Sequence, residues 1–325
     1  MAGELGSSHS TQLGSAVTLF IFNRPRETEQ VFEQIRNAKP RLLFVIGDGP
    51  RKNRAGEADR VLLCREIVSR VDWGCEVFTN FSDDNLGTRH RIISGLDWVF
   101  SKVEHSIILE DDCLPHPDFF PFADELLRRF STDERIGAIS GTNPLPNPQA
   151  PSTSYFFSKV PSLWGWGTWA RVWKTYDGAI LDLPDQMRKN LLPASLSTTR
   201  AVKYWRQSLS GVYKNQIDAW DYQFVYLMWK TRQLTVVPSR NLVSNTGFGP
   251  DATHTFDKSS ALANMPTYSM DFPIRHQDII EPDLKFDNRI ESEFTPALWR
   301  LWGVQIMNML PVAIQKILLL IYRRL

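Results

Sequence analysis

Three consecutive carboxylates, Glu110-Asp111-Asp112, follow the apolar run Ile107-Ile108-Leu109 and precede Cys113-Leu114-Pro115. Adjacent carboxylates repel one another unless positive charge sits among them. A hard divalent cation with oxygen ligands is the natural counter-charge. Mn2+ or Mg2+ suits carboxylates combined with phosphate oxygens, and such an ion is usually completed by water and a substrate diphosphate rather than by an all-protein cage. The competing reading is a loop or helix start with solvated acids; the buried strand ahead of the triplet weighs against it. A second cluster, Trp164-Gly165-Trp166-Gly167, combines flat aromatics with permissive glycines. Aromatic faces pack on sugar C–H faces, and glycine lets backbone approach a ligand, so Trp166 and Gly167 are candidate ligand contacts, with plain core packing as the alternative. Arg89, His90 and Arg91, after the Asn85-Leu86-Gly87 turn, could add positive charge or simply open a solvated helix. The six His and three Cys show no zinc-ligand spacing, and P-loop, dinucleotide and α/β-hydrolase motifs are absent.

The elements that must position these groups read as repeated β-α-β. Val17–Phe22, Leu42–Ile46, Glu76–Thr79, Ser106–Leu109 and Ile136–Ser140 are strand patterns. Helical patterns lie between them, one opened by Pro25 and another by Pro117. This alternation implies an α/β fold with a mostly parallel sheet covered on both faces. In such sheets ligands bind at the carboxyl ends of the strands. Asn23-Arg24, Asp48, Asn80 and Glu110–Asp112 all stand at strand exits and are expected on one rim. A proline-rich crossing over 141–154 separates this half from a Trp-rich second half, with helical patterns over Trp169–Tyr176, Ala201–Tyr213 and Trp220–Lys230 and a strand over Leu234–Val237.

Composition narrows the classes. The chain has 325 residues, so it can bury about 75% of its unfolded surface without a disulfide or metal staple. Lys and Arg number 37 against 36 Asp and Glu, a net charge of +1 that gives no reason to expect nucleic acid as a partner. Three cysteines without a C-x-x-C point to a reducing, cytoplasmic compartment.

A hydrophobic strand ending in Glu-Asp-Asp, then a helix carrying Pro117-Asp118-Phe119-Phe120, resembles the metal-binding signature of GT-A glycosyltransferases. Phe22-Asn23-Arg24-Pro25, Ile46-Gly47-Asp48-Gly49-Pro50, Asn85-Leu86-Gly87, Trp164–Trp169, Trp220-Asp221-Tyr222-Gln223 and the segment Pro238–Gly247 follow in the order of bacterial family-2-like nucleotide-diphospho-sugar transferases. The chain is more distantly similar to N-acetylglucosaminyltransferase I. The likeness spans about residues 17–256. It implies a GT-A (Rossmann-like) domain with a nucleotide-sugar-binding half over 16–140 and an acceptor-binding half over 141–298. It also implies metal-dependent, inverting transfer of a sugar, from a UDP-sugar by preference, to a hydroxyl of a saccharide acceptor in bacterial surface polysaccharide synthesis.

On that resemblance Asp48 would accept from the nucleotide base, the alternative being a turn former between Gly47 and Gly49, and Arg24 would pair with the diphosphate or border the base, the alternative being a surface residue of the first helical turn. Glu110 and Asp111 would face ribose and sugar, and Asp112 would hold the metal. Asp221 would be the general base; the related motif has a second Asp where this chain has Tyr222, which leaves Asp218 as the other possibility. The loop Asn245–His254 could fold over the donor and bring His254 to a phosphate or the metal, or leave it exposed. The alternatives are a sugar nucleotidyltransferase and a non-catalytic glycan-binding or scaffold module.

The ends carry two further expectations. Residues 1–15 read as a flexible leader. Residues 299–325 have no acidic residue, carry Arg300, Lys316, Arg323 and Arg324, and include the apolar run Ile317–Tyr322. A helix over 312–325 reaches about 21 Å, short of a ~30 Å hydrocarbon core. It is expected in the interface at the inner face of the cell membrane, where a lipid-linked acceptor would meet it, or else docked on the protein's own core.

Overall fold

A computed structural model describes residues 12–145, 153–248 and 262–295. The first half alternates strands and helices as the periodicity requires. It runs β1 (Ala16–Ile21), α1 (Pro25–Ala38), β2 (Leu42–Gly47), α2 (Glu57–Val68), β3 (Glu76–Phe81), α3 (Thr88–Phe100), β4 (His105–Glu110), β5 (Cys113–Pro115), α4 (Phe119–Arg129) and β6 (Ile136–Ser140). The second half holds β7 (Tyr155–Ser158), β8 (Trp166–Trp169), α5 (Ala170–Trp173), α6 (Leu183–Arg188), α7 (Leu191–Ser195) and α8 (Thr199–Tyr213). It continues with α9 (Asp221–Thr231), β9 (Leu234–Pro238), β10 (Val243–Asn245) and α10 (Leu284–Phe294).

Eight strands form one sheet in the order β3-β2-β1-β4-β8-β6-β9-β7, and β10 pairs with β5 in a small second sheet. The pairs β3–β2, β2–β1, β1–β4 and β6–β9 are parallel. Strands β8 and β7 run against their neighbours. The result is a mixed, mostly parallel, Rossmann-like sheet flanked by helices. β1, β4 and β6 are buried from end to end, apart from the half-buried His105 and Glu110 at the two ends of β4. That is why they read in sequence as apolar runs rather than as alternating patterns. In α1 the residues Thr28, Val31, Phe32 and Ile35 form the buried stripe, and Pro25 stands where its missing N–H costs nothing.

Two expectations change. Residues 166–169 form strand β8, wedged between β4 and β6, so Trp169, expected to start a helix, ends a strand and precedes α5. The expected leader also ends earlier than residue 15. Leu13 is buried and bridges to Pro40, and the Ser15 N–H donates to Asp124 Oδ1 at 2.7 Å. The main core follows the sheet, and a second cluster around Leu192, Leu209 and Trp229 joins α7, α8 and α9. Among the described residues no helix is long and apolar enough to cross a membrane; residues 299–325 lie outside them.

Candidate active site

The sheet order β3-β2-β1-β4 reverses direction at β1, and the carboxyl ends of β1 and β4 flank the crevice that this reversal leaves. Arg24 follows β1, and Glu110-Asp111-Asp112 leave β4 beside it. A cleft of about 610 Å3 opens there, lined on one side by Arg24, Asp48, Arg51 and the three acids, and on the other by Trp164, Asp218 and Asp221. The rim expected at the strand exits therefore exists, except that Asn23 and Asn80 do not line the cleft; the Asn23 amide donates to Glu57 Oε1 at 2.8 Å. Asn80 accepts from the Arg91 guanidinium through both its side chain, at 2.9 Å, and its carbonyl.

Arg24 sits between two of the acids. Its Nη1 donates to Asp111 Oδ1 at 3.1 Å and to Asp112 Oδ2 at 2.5 Å. Asp111 also accepts the Phe22 N–H at 3.0 Å, which ties the exit of β4 to that of β1. One guanidinium does not balance the cluster. Burial first, then the fields of Asp112, Asp111 and Asp221, push the Glu110 carboxyl up to about 8. Burial likewise pushes Asp111 up to about 6, against the pull of Arg24.

Among the described residues no three His, Cys, Asp or Glu side chains form a closed metal cage. The charge deficit and the all-oxygen donor set nevertheless fit an ion that takes one or two carboxylates and leaves its other positions to phosphate and water. His254, the other expected ligand, lies outside the described residues.

Asp112 is held from the far half of the chain. β10 pairs antiparallel with β5, with Asn245 opposite Cys113. The Thr246 N–H and hydroxyl then donate to the Asp112 carbonyl at 2.8 and 3.1 Å. Gly247 lies against the carboxylate itself: a Cβ there would stand 2.6 Å from Asp112 Cγ and closer still to Oδ2. Gly247→Ala is therefore expected to push Asp112 away from Arg24 and to cost about 1–3 kcal/mol by overpacking. Thermal melts with and without nucleotide and Mn2+ check both effects.

Asp48 takes a different part from the one the resemblance implied. Its Oδ1 accepts the N–H groups of Gly49 and Leu86, each at 2.9 Å; its Oδ2 accepts the Gly87 N–H and the Asn85 amide, each at 3.0 Å. Four donors fill a carboxylate's acceptor sites. Asp48 thus pins the 85–87 turn to the end of β2 and has no lone pair left for a base. Trp166 and Gly167, expected as ligand contacts, do not line the cleft. Trp166 is buried, stacked on Trp220 with ring centres 5.8 Å apart and edge-on to Phe224 at 4.8 Å. Gly167 is a mid-strand residue opposite Ile107 and Ile139, with Leu127 packed over it. Trp164, two residues earlier, is the tryptophan of this segment that faces the cleft.

Asp218 and Asp221 both line the cleft, at the entrance to α9. The Tyr176 hydroxyl donates to the Trp220 carbonyl at 3.0 Å and the Gln223 amide to the Ala219 carbonyl at 2.6 Å, which fixes this turn. Tyr222, in place of the expected second Asp, shares a 3.0 Å hydrogen bond with the Tyr204 hydroxyl, and burial pushes its own hydroxyl up. It offers no base. Arg91 donates to the Gly47 carbonyl at 3.1 Å and Arg89 to the Gly178 carbonyl at 2.6 Å, so both brace the walls, while His90 is exposed.

Arg51 and its partner Glu57 went unread in the sequence; a Gly-Pro-Arg turn with a Glu six residues on is too common to stand out. Glu57 is fully buried and accepts the Arg51 N–H at 2.7 Å, its guanidinium Nε at 3.0 Å and the Asn23 amide at 2.8 Å. The Arg51 guanidinium holds this carboxyl down at about 2. A depressed carboxyl stabilises the fold above its usual value of 4.5 and loses that contribution as pH falls from there toward 2. Glu57→Gln is expected to cost about 1–3 kcal/mol at pH 7, with the gap to wild type closing progressively as pH falls from 4.5 toward 2 in urea unfolding.

No known protein family and no curated protein matches this chain. Two of the solved structures similar to it are the 4-diphosphocytidyl-2C-methyl-D-erythritol synthase of Anaerococcus prevotii and a UDP-glucose pyrophosphorylase in complex with UDP-glucose. The first is 9% identical over 52% of this chain and 78% of its own, with a TM-score of 0.33. The second is 8% identical over 69% of this chain and 90% of its own, with a TM-score of 0.34. Neither likeness assigns a function at these values.

Proposed function

We propose that this protein is a glycosyltransferase that moves a sugar from a nucleotide diphosphate to a hydroxyl of a saccharide acceptor, with inversion at the anomeric carbon. The reading rests on one juxtaposition: Asp221 and Asp218 line the same cleft as Arg24 and the 110–112 carboxylates. The donor diphosphate lies by Arg24 and the acids, and the acceptor hydroxyl by Asp221. As the acceptor oxygen bonds to the anomeric carbon, its proton passes to the Asp221 carboxylate. The anomeric C–O bond breaks, and its electron pair leaves with the nucleoside diphosphate. An alcohol is a poor nucleophile until its proton is taken, so this chemistry needs a placed base. Asp112 would hold Mn2+ or Mg2+, whose charge would stabilise the departing diphosphate. With Asp48 saturated by the 85–87 turn, the preference for uridine has no residue of its own.

A sugar nucleotidyltransferase would also use strand-end acids and a metal. Its nucleophile, however, is a phosphate already ionised at neutral pH, which leaves Asp218 and Asp221 without a task. The two reactions part on their products. Incubation with UDP-sugars and Mn2+ is expected to release UDP, by hydrolysis when acceptor is lacking, and incubation with UTP and a sugar 1-phosphate is expected to release no pyrophosphate. Release of pyrophosphate would replace this reading with the other one. Residues 299–325 are the proposed contact with the inner face of the membrane, and sedimentation with anionic vesicles tests it.

A further inference from the structure

The cleft has a neighbour of opposite chemistry. A groove of about 300 Å3 shares Leu163, Trp164, Asp221 and Tyr222 with it and extends between α8, α9 and α10. The cleft carries Arg24, Arg51 and Arg91 beside its acids, whereas among the described residues the groove's only charged side chain is Asp221, at its mouth. Most of the remaining polar side chains are occupied. The hydroxyls of Tyr204 and Tyr222 bond each other, and the Thr142 hydroxyl donates to the Trp164 carbonyl at 2.8 Å.

The walls are rigid aromatic and aliphatic surface. Trp205 stands edge-on to Trp229 and to Tyr222, with ring centres 4.7 and 5.4 Å away. Phe286 is locked edge-on to Phe156 at 4.5 Å, and Ile290 and Phe294 continue its face of α10. Further sugar rings would find almost nothing to receive their hydroxyls here. A hydrocarbon chain would find apolar side walls along an open groove.

We infer that this groove takes the hydrocarbon chain of an acceptor whose reacting sugar hydroxyl lies at Asp221. The inference rests on the transfer reading above and adds the acceptor's class: an amphiphile, a sugar head on an alkyl or prenyl tail. The shared walls favour this occupant. Whatever fills the groove lies directly beside the reacting group, so a second copy or another part of the chain seated there would crowd the cleft.

The test compares n-octyl β-D-glucopyranoside, below its critical micelle concentration, with methyl β-D-glucopyranoside on the full-length protein by calorimetry. The octyl compound is expected to bind at least tenfold more tightly. Ile290→Glu, on the half-buried face of α10, is expected to remove that advantage while UDP binding with Mn2+ and the melting temperature stay as in wild type. Ile290→Ala is expected to weaken octyl binding about threefold, and serves should the charged variant fail to fold.

Equal affinity for the two glycosides, or octyl binding that neither variant weakens, overturns the inference. So does a gain in octyl affinity on placing Asp at Leu318 and Leu319, which would mark the chain's own tail as the occupant. Dimers that octyl glucoside dissociates would mark a second copy instead and overturn it equally. An octyl preference without binding of UDP, ADP, GDP, CDP or dTDP in Mn2+ refutes the transfer reading and leaves the groove's ligand class standing.

Discussion

Asp221→Asn is expected to lower kcat for sugar transfer by about 10²–10⁴ while nucleotide affinity stays unchanged. Asparagine keeps the size and hydrogen-bonding of the side chain and cannot take the acceptor's proton. The residue opens α9, where a negative charge is favoured by the helix dipole, so the variant also loses a little stability, on the order of 0.5 kcal/mol. Asp218→Asn, one turn earlier on the same wall, is the matched control and is expected to cost less than tenfold. Single-turnover kinetics with a labelled donor separates the chemical step from product release. Both variants within tenfold of wild type would remove the base from the proposal, and with it the reason to prefer transfer to an alcohol.

Asp112→Ala carries the second large effect. It is expected to raise the Kd for UDP in Mn2+ at least about 30-fold, and so to cut the stabilisation that ligand at a hundredfold excess over the wild-type Kd gives, about 2.7 kcal/mol, to about 0.9 kcal/mol or less. The ligand-free protein should behave in the opposite sense. Asp112 is one of the charges that push Glu110 up, so its removal relieves a repulsion and leaves the bare melting temperature unchanged or raised. A purely structural Asp112 would do the reverse: the variant would melt lower and keep its response to nucleotide. Calorimetry and melting curves on one pair of proteins decide between the two.

The β-α-β order could be read from the residues because its signals are local. The apolar run 107–109 ending in acids placed β4 and its rim. Prolines 25 and 117 marked helix starts to within two residues. Asp221 is read from a motif and Asp218 as the nearby second possibility, and both meet the acid cluster in one cleft. What could not be read depends on partners distant in sequence. Asp48 at a strand exit looks like a ligand-facing acid; only the return of the chain at 85–87 shows that its lone pairs are spent on a turn. Trp166 and Gly167 read as a candidate sugar platform because flat aromatics alternate there with permissive glycines, with core packing as the alternative. The close approach of Leu127 accounts for Gly167. Arg24 was expected on the diphosphate. Without ligand it bridges Asp111 and Asp112, lending them part of the positive charge that the triplet demands.

The reversed strand β8 has a consequence for how the chain is made. β4, which ends at Glu110, has only β1 beside it until Trp166–Trp169 arrives on its other side, and β6 likewise waits for β8 and β9. During synthesis the strand bearing the acids therefore leaves the ribosome with one flank bare, an apolar edge that invites mispairing with other nascent chains. The first 140 residues would not persist as a free-standing fragment, and a nick in the proline-rich crossing after Leu145 would leave the two pieces clasped across the middle of one sheet.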